Sequence, residues 1–300
     1  MKRLGLALLA LCVLAATSAD AADDTFKPFV LASSGPGTLE ARSEETIDAL
    51  EAAGFRLVGR YSPVPDSQIL VVTHDALLEA AAASDRGGYA AGQRISVSEV
   101  DGEIEVAFVN PVYLQYAYRM GSDLGPVRGA LVDALGHVRD CGGGDKKMTA
   151  ERLGKYRYMM GMQQFDDPSE LGTFASHEEA VAAVVDGLQA SGDGLEMVYR
   201  IDVPDSDQTV IGIGMRSSDP DRRIDEAEQL EVVDFEGCRK RAYFPYEVLV
   251  NGNEVEALHM RFRMAVHFPN LSMMGSHGFT KLMPFPGDIE KALEALVANP

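Results

Sequence analysis

Two turn signals set in matching surroundings constrain this 300-residue chain more than any other feature. The stretch Ile95 to Pro111 reads ISVSEVDGEIEVAFVNP. Ile95 and Val97 alternate with serines, Asp101-Gly102 supplies a turn, and Ile104, Val106 and Phe108 alternate on the return. Period-2 alternation around Asp-Gly is a β-hairpin signature, because glycine accepts the positive φ of such turns. Asn110-Pro111 then ends the strand, since proline cannot donate to a ladder. The outline returns at Tyr246 to Pro269, YEVLVNGNEVEALHMRFRMAVHFP, with Asn251-Gly252 as the turn and a longer second strand expected.

The segments upstream of each hairpin also match in order. In the first half, Phe29 to Ser33 is a short strand, Ser43-Glu44-Glu45 opens a helix ending at Gly54, and Phe55 to Tyr61 is a strand. Ile69 to Thr73 is a continuous apolar strand, Asp75 to Ala83 a helix, and two further helices follow Pro111 and Leu124. In the second half the order is Gly172-Thr173-Phe174, a helix from Ser176-His177-Glu178-Glu179 to Leu188, and strands Leu195 to Ile201 and Thr209 to Gly214. A polar helix Arg222 to Glu228 and a closing helix Asp288 to Val297 complete it. Pro204-Asp205-Ser206-Asp207-Gln208 parallels Val64-Pro65-Asp66-Ser67-Gln68. Elements repeated in order indicate a duplicated unit. The expected fold class is α+β: two similar two-layer α/β sandwich lobes, each β-α-β-β-α-β-β-α, forming a pseudo-dimer. The expected boundaries are 23–136 and 172–300 for the lobes, with a linker at 137–171. That linker holds a flexible Cys141-Gly142-Gly143-Gly144 run and a Tyr- and Met-rich helix from Thr149 to Gln164, which would pack across both lobes.

Residues 1–22 read as a secretory signal peptide, with Lys2 and Arg3, an apolar stretch from Leu4 to Ala16, and Ala19-Asp20-Ala21 for cleavage. The expectation is a periplasmic or secreted product. Leu11 stands where a lipoprotein signal wants a small residue before Cys12, so lipid attachment there is disfavoured, and no later segment is long and apolar enough to anchor the chain. Loss of Lys2, Arg3 and Asp20 would take the net charge from −19 to −20. That field disfavours nucleic acid and anionic lipid as partners. In an oxidising compartment Cys141 and Cys238 can form a disulfide or stay as buried thiols.

Each half resembles the domain of unknown function 302 family. The match rests on Ala49-Leu50-Glu51-Ala52-Ala53-Gly54-Phe55, on the strand and alanine-rich helix from Ile69 to Ala83, and on Phe108-Val109-Asn110-Pro111. It covers Thr38 to Gly136 closely and Thr173 to Val297 more loosely. The resemblance implies a compact two-layer lobe whose members can pair, so that two fused copies imitate a dimer. It supplies no catalytic residues, and Thr73-His74 stands where other members often carry a nearby cysteine.

Chemistry-bearing residues concentrate near the C-terminus. If 254–269 were one strand, Met260, Phe262, Met264, Val266 and Phe268 would share a core face, and His259, Arg261, Arg263 and His267 the other. The break in alternation near Leu258 would then mark a bulge. The basic stripe, with Arg239-Lys240-Arg241 nearby, could hold a carboxylate or oxyanion, or pair with acidic neighbours such as Glu247. Met273, Met274 and His277 form a loop of soft ligands, for which copper is the alternative cofactor; otherwise none is expected. Haem, zinc, phosphate-loop and Gly-x-Ser-x-Gly motifs are absent from the sequence, and Ser276-His277 are too close in sequence to cooperate. Asp66, Asp205 and Asp207 fit backbone-capping turns. The leading expectation is a non-enzymatic small-ligand-binding or accessory protein, monomeric or weakly dimeric, taking a small molecule or anion in an inter-lobe groove lined by Tyr113, Tyr116, Arg261 and His267. The alternatives are a redox or copper-handling protein using Cys141, Cys238 and the Met/His loop, and an enzyme with an unrecognised site.

Overall fold

The computed structural model describes residues 24–191, 194–235 and 237–298; the expected signal peptide lies outside them. The first lobe runs β1 (Phe29–Gly35), α1 (Leu39–Ala52), β2 (Arg56–Tyr61), β3 (Ser67–Thr73), α2 (Asp75–Ala82), β4 (Gln93–Val100), β5 (Glu103–Val109) and α3 (Pro111–Ala117). After α4 (Gly125–Leu135), β6 (Arg139–Cys141) and the short α5 (Ala150–Gly154), the order repeats. The second lobe is β7 (Ser169–Thr173), α6 (His177–Ala190), β8 (Leu195–Asp202), β9 (Gln208–Met215), α7 (Glu226–Val233), β10 (Tyr246–Asn251), β11 (Glu254–Ala257) and α8 (Met260–His267), closed by α9 (Phe285–Ala298).

The strand orders match as well. The first sheet is β2-β3-β4-β5-β1-β6 and the second β7-β11-β10-β9-β8, so the two share one antiparallel arrangement apart from the added β6. Both break register at the same place, between Leu57 and Gly59 in β2 and between Met197 and Tyr199 in β8. Local chemistry explains the helix starts: Thr38, Asn110, Ser176 and Asp225 each accept a backbone N–H at the first turn of the helix they precede.

Strand alternation gives each sheet two buried faces. In the first lobe Val30, Leu70, Ile95 and Phe108 pack on α1 and α4 through Ile47, Leu50 and Leu131. The opposite face, with Phe29, Ile69, Val71 and Ala107, joins a larger core that also contains Val210, Leu249, Val250 and Phe262 of the second lobe. The second sheet carries α6 and α9 on its far side. The layers therefore run helix, sheet, sheet, helix.

The lobes also exchange equivalent segments. The short turn before β4, Gly87–Ala90, packs on β9 and β10, and the turn before β10, Arg241–Tyr243, packs on β3, β4 and β5. Gln208 accepts from Gly88 N at 2.8 Å and donates to Ser84 O at 3.0 Å. Arg241 pairs with Asp66 at 3.0 Å. This reciprocity is the pattern of an isologous dimer interface, here formed within one chain.

Four expectations change. The strand expected to run on to Pro269 ends at Ala257, and 260–267 is helix α8 capped by His259. The missing alternation near Leu258 is thus a change of element rather than a bulge. The Tyr- and Met-rich segment forms helix only over Ala150–Gly154. The polar helix begins at Glu226 rather than Arg222, because Asp225 caps it. Within the supposed linker, β6 pairs with β1, placing Cys141 opposite Phe29.

Cys141 and Cys238 are disulfide-bonded, with Cα atoms 6.3 Å apart and a sequence separation of 97. The bond ties the edge of the first sheet to the segment that the second lobe sends across to it. Closing a loop of this size removes unfolded-chain entropy. The double variant Cys141→Ala/Cys238→Ala should unfold at lower urea, with a loss of roughly 3–5 kcal/mol against the oxidised parent. Equal midpoints would show that the bond does not stabilise the fold.

Candidate ligand site at the lobe junction

The two sheets bring a charged centre into the middle of the molecule. Arg94 on β4 lies opposite Val71 of β3, and Glu247 on β10 lies opposite Gly212 of β9. By strand order and register these are equivalent positions in the two lobes. Their side chains meet: Arg94 Nη1 donates to Glu247 Oε1, and both residues are about 1% exposed. Arg94 Nε also donates to Ala242 O at 3.0 Å.

Glu247 has two further partners. Tyr199 donates to its Oε1 at 2.6 Å. Arg263, fully buried on α8, approaches Oε2 at 3.5 Å and donates to the carbonyls of Tyr243 and Pro245 at 2.7 Å each. The Arg263 guanidinium lies 4.1 Å from the Tyr243 ring centre and 4.8 Å from that of Tyr246. Such stacking supports a buried cation through its face and leaves its in-plane N–H groups for other partners.

Tyr199 reaches Glu247 because Gly212 lies between them. It faces Tyr199 on one side and Glu247 on the other in the ladder. A Cβ on Gly212 would fall 2.0 Å from Tyr199 Cε1. In the first lobe the position of Tyr199 is taken by Gly59, where a Cβ would lie 2.6 Å from Val198 O. The two lobes thus approach backbone to backbone at the edge strands β2 and β8.

Around this centre, several buried polar atoms have no hydrogen-bond partner: Arg94 Nη2, Arg263 Nε and Nη1, the Tyr118 and Tyr243 hydroxyls, and His267 Nε2. Tyr118 comes from the end of α3, and its ring lies edge-on to His267 at 6.3 Å; Tyr243 lies edge-on to His267 at 5.2 Å. Burial pushes the Tyr118 hydroxyl up to about 12 and raises Tyr243 and Tyr199 as well. Burial, then the charges of Arg263 and Arg94, hold His267 well below its ordinary value. It is therefore neutral, and its Nδ1 donates to Arg263 O at 2.8 Å. Burial opposes the Arg263 charge, but Tyr243 and Glu247 outweigh it and keep the guanidinium ionised.

Glu226, 1% exposed, accepts from the Tyr61 hydroxyl across the lobes. Burial pushes its carboxyl up to about 8, against the opposing effects of Tyr61 and Arg263.

The residues singled out in the sequence are dispersed. Tyr113 is fully buried and donates to Val266 O at 2.5 Å. His267 is also fully buried, so neither is the wall of an open groove. Tyr116 is half-buried, its ring 5.0 Å from Phe26, and Arg261 is exposed at the first turn of α8. The basic stripe does not exist as one face. Helical spacing turns Arg263 and His267 inward together, leaves Arg261 outside and uses His259 as a cap. The pairing of an arginine from this segment with Glu247 does occur, though from a helix. Arg239 and Arg241 both pair with Asp234. Met273 accepts from the Tyr158 hydroxyl at 2.8 Å, Met274 is exposed, and His277 stacks on Phe235 at 4.4 Å with Nδ1 donating to Val232 O. Among the described residues, no group of three or more His, Cys, Asp or Glu side chains is gathered for a metal ion. No helix among them is long and apolar enough to cross a membrane.

No family model, curated protein or solved structure matches the chain.

Arg94, Tyr118, Tyr199, Tyr243 and Glu226 carry the junction and were not singled out from sequence. One signal was available: Arg94 and Glu247 are charges set in strands whose neighbours are apolar or small.

Two outcomes follow from this geometry. Glu226 has a folded-state pKa of about 8 against the usual 4.5, so its stabilisation is complete below 4.5 and is lost as pH rises towards 8. The parent should lose stability relative to Glu226→Gln by up to about 1.4 kcal/mol per pH unit across that window, as read by urea denaturation at several pH values. A pH-independent difference would place Glu226 in contact with water. Gly212→Ala should cost about 1–3 kcal/mol by driving the Tyr199 ring off Glu247. In a double-mutant cycle, Tyr199→Ala should remove most of that cost.

Proposed function

We propose that this chain is an exported, non-enzymatic binding or accessory protein that holds a small ligand at the junction of its two lobes. The observation that carries this reading is the set of unpaired, donor-rich side chains around Arg94, Arg263 and Glu247, all at least nine-tenths buried. Buried polar groups are satisfied in the great majority of proteins, so a cluster of exceptions at one point calls for a partner.

Binding fits the site better than catalysis does. Its arginines stay charged, its tyrosines stay protonated, and His267 stays neutral around pH 7. General acid–base chemistry needs a group poised near the working pH and able to reach a substrate, and Glu226, whose carboxyl is held up to about 8, is buried with its hydrogen bond taken by Tyr61. The expected open groove gives way to an enclosed site, with the same class of ligand, a small molecule or anion. Export to the periplasm or beyond is supported by the Lys2-Arg3 leader pattern and by the buried Cys141–Cys238 bond, since such bonds persist in oxidising compartments. The repeated strand order agrees with two fused units like those of the domain of unknown function 302 family, working as a monomer or weak homodimer.

Thermal unfolding of the dialysed mature protein across a panel of inorganic anions, small carboxylates and neutral solutes tests the reading. At least one member should raise the Tm of the parent by several degrees and shift Tyr118→Phe less. A panel in which every compound leaves the Tm unchanged would overturn it.

A further inference from the structure

The junction's charge and dimensions together specify its occupant. Two guanidiniums, Arg94 and Arg263, share one carboxylate, Glu247. The hydrogen bond of Glu226 goes to Tyr61, and its carboxyl, held up to about 8, is mostly protonated at neutral pH. The centre therefore carries one positive charge in excess. An uncompensated charge in the interior is strongly unfavourable, and water alone cannot neutralise it.

The walls are close. The rings of Tyr118 and Tyr243 stand 6.3 and 5.2 Å from that of His267, centre to centre, and every residue of the cluster is 3% exposed or less. Side chains packed this closely favour a small occupant over a polyatomic acid. His267 Nε2 has no donor within hydrogen-bond reach. The Tyr118 and Tyr243 hydroxyls, with Arg94 Nη2 and Arg263 Nη1, are donors left to face an acceptor.

We infer that the lobe junction binds a single monovalent anion of halide size, chloride being its natural form, between Arg94, Arg263 and a tyrosine hydroxyl of Tyr118 or Tyr243. This rests on the reading of the junction as a binding site and names the ligand class. The anion supplies the missing negative charge and accepts the unpaired N–H groups in one step. Because it is enclosed by both lobes, it enters and leaves only when they loosen, so exchange is slow and the anion acts as a part of the folded interface.

The test uses the full mature protein refolded from urea in sodium bromide and crystallised in it. Anomalous scattering should show one bromide in contact with Arg94 and Arg263, and the Tm at constant ionic strength should rise with each tenfold increase in chloride over gluconate. In Tyr118→Phe and Tyr243→Phe that dependence should weaken by at least severalfold for whichever tyrosine faces the anion. Bromide on the surface only, with water at the junction and equal Tm in chloride and gluconate, overturns the halide assignment. If a carboxylate or neutral solute still binds at the junction, the reading of it as a ligand site survives; if nothing binds, both fall. The crystallographic arm stands even where a variant fails to fold.

Discussion

The interior contact between Arg94 and Glu247 is the constraint around which the lobes are arranged. The two residues occupy equivalent places, one in each sheet. In a dimer of identical chains, a residue close to the twofold axis meets its own copy, so a charge there would face the same charge. Fusing the copies removes that restriction. One half can carry arginine and the other glutamate, and repulsion becomes a buried ion pair. Such a pair seldom adds much net stability, because both ions lose their water. Its effect is to fix which faces of the lobes meet and in what register.

The surrounding residues differ between the lobes in step with this contact. Tyr199 in the second lobe corresponds to Gly59 in the first, and Gly212 corresponds to Val71. Where the second lobe needs an aromatic ring reaching across the sheet to Glu247, it has a glycine beneath the ring. Where the first lobe must let the second come close, it has a glycine in place of the ring. The serines of β3 and β4 do similar service: Ser67 and Ser98 bond to each other at 2.9 Å, and the small inner face they help form receives the turn Arg241–Tyr243. These differences lie on the inner faces. The helix-covered outer face of the first sheet keeps ordinary aliphatic packing.

Much of this fold was legible in the sequence, for a definite reason. The Asp101-Gly102 and Asn251-Gly252 turns fix hairpin register locally, and helices with a capping residue ahead of an apolar face need no distant information. The failure at 258–267 is equally local. Met260, Phe262, Met264 and Val266 satisfy an alternating pattern and also bury well on a short helix packed on all sides, so periodicity could not separate the two. The junction itself was mostly hidden. Arg263 pairs with Glu247, as residue types suggested, but the meeting of Arg94 with Glu247 spans 153 residues and depends on how two complete lobes dock. No short-range pattern records that.

The position of the disulfide matters for the integrity of the folded chain. Cys141 sits on the edge strand of the first sheet and Cys238 on the segment that the second lobe sends across to it, so the backbone from 142 to 237 forms a closed ring with the sulfur bridge. The exposed stretch around Met159 and Met160 lies inside that ring. A protease cutting there would open the ring without releasing either piece, and the docked lobes would stay covalently joined. The intact polypeptide between the lobes is therefore dispensable once the molecule has folded.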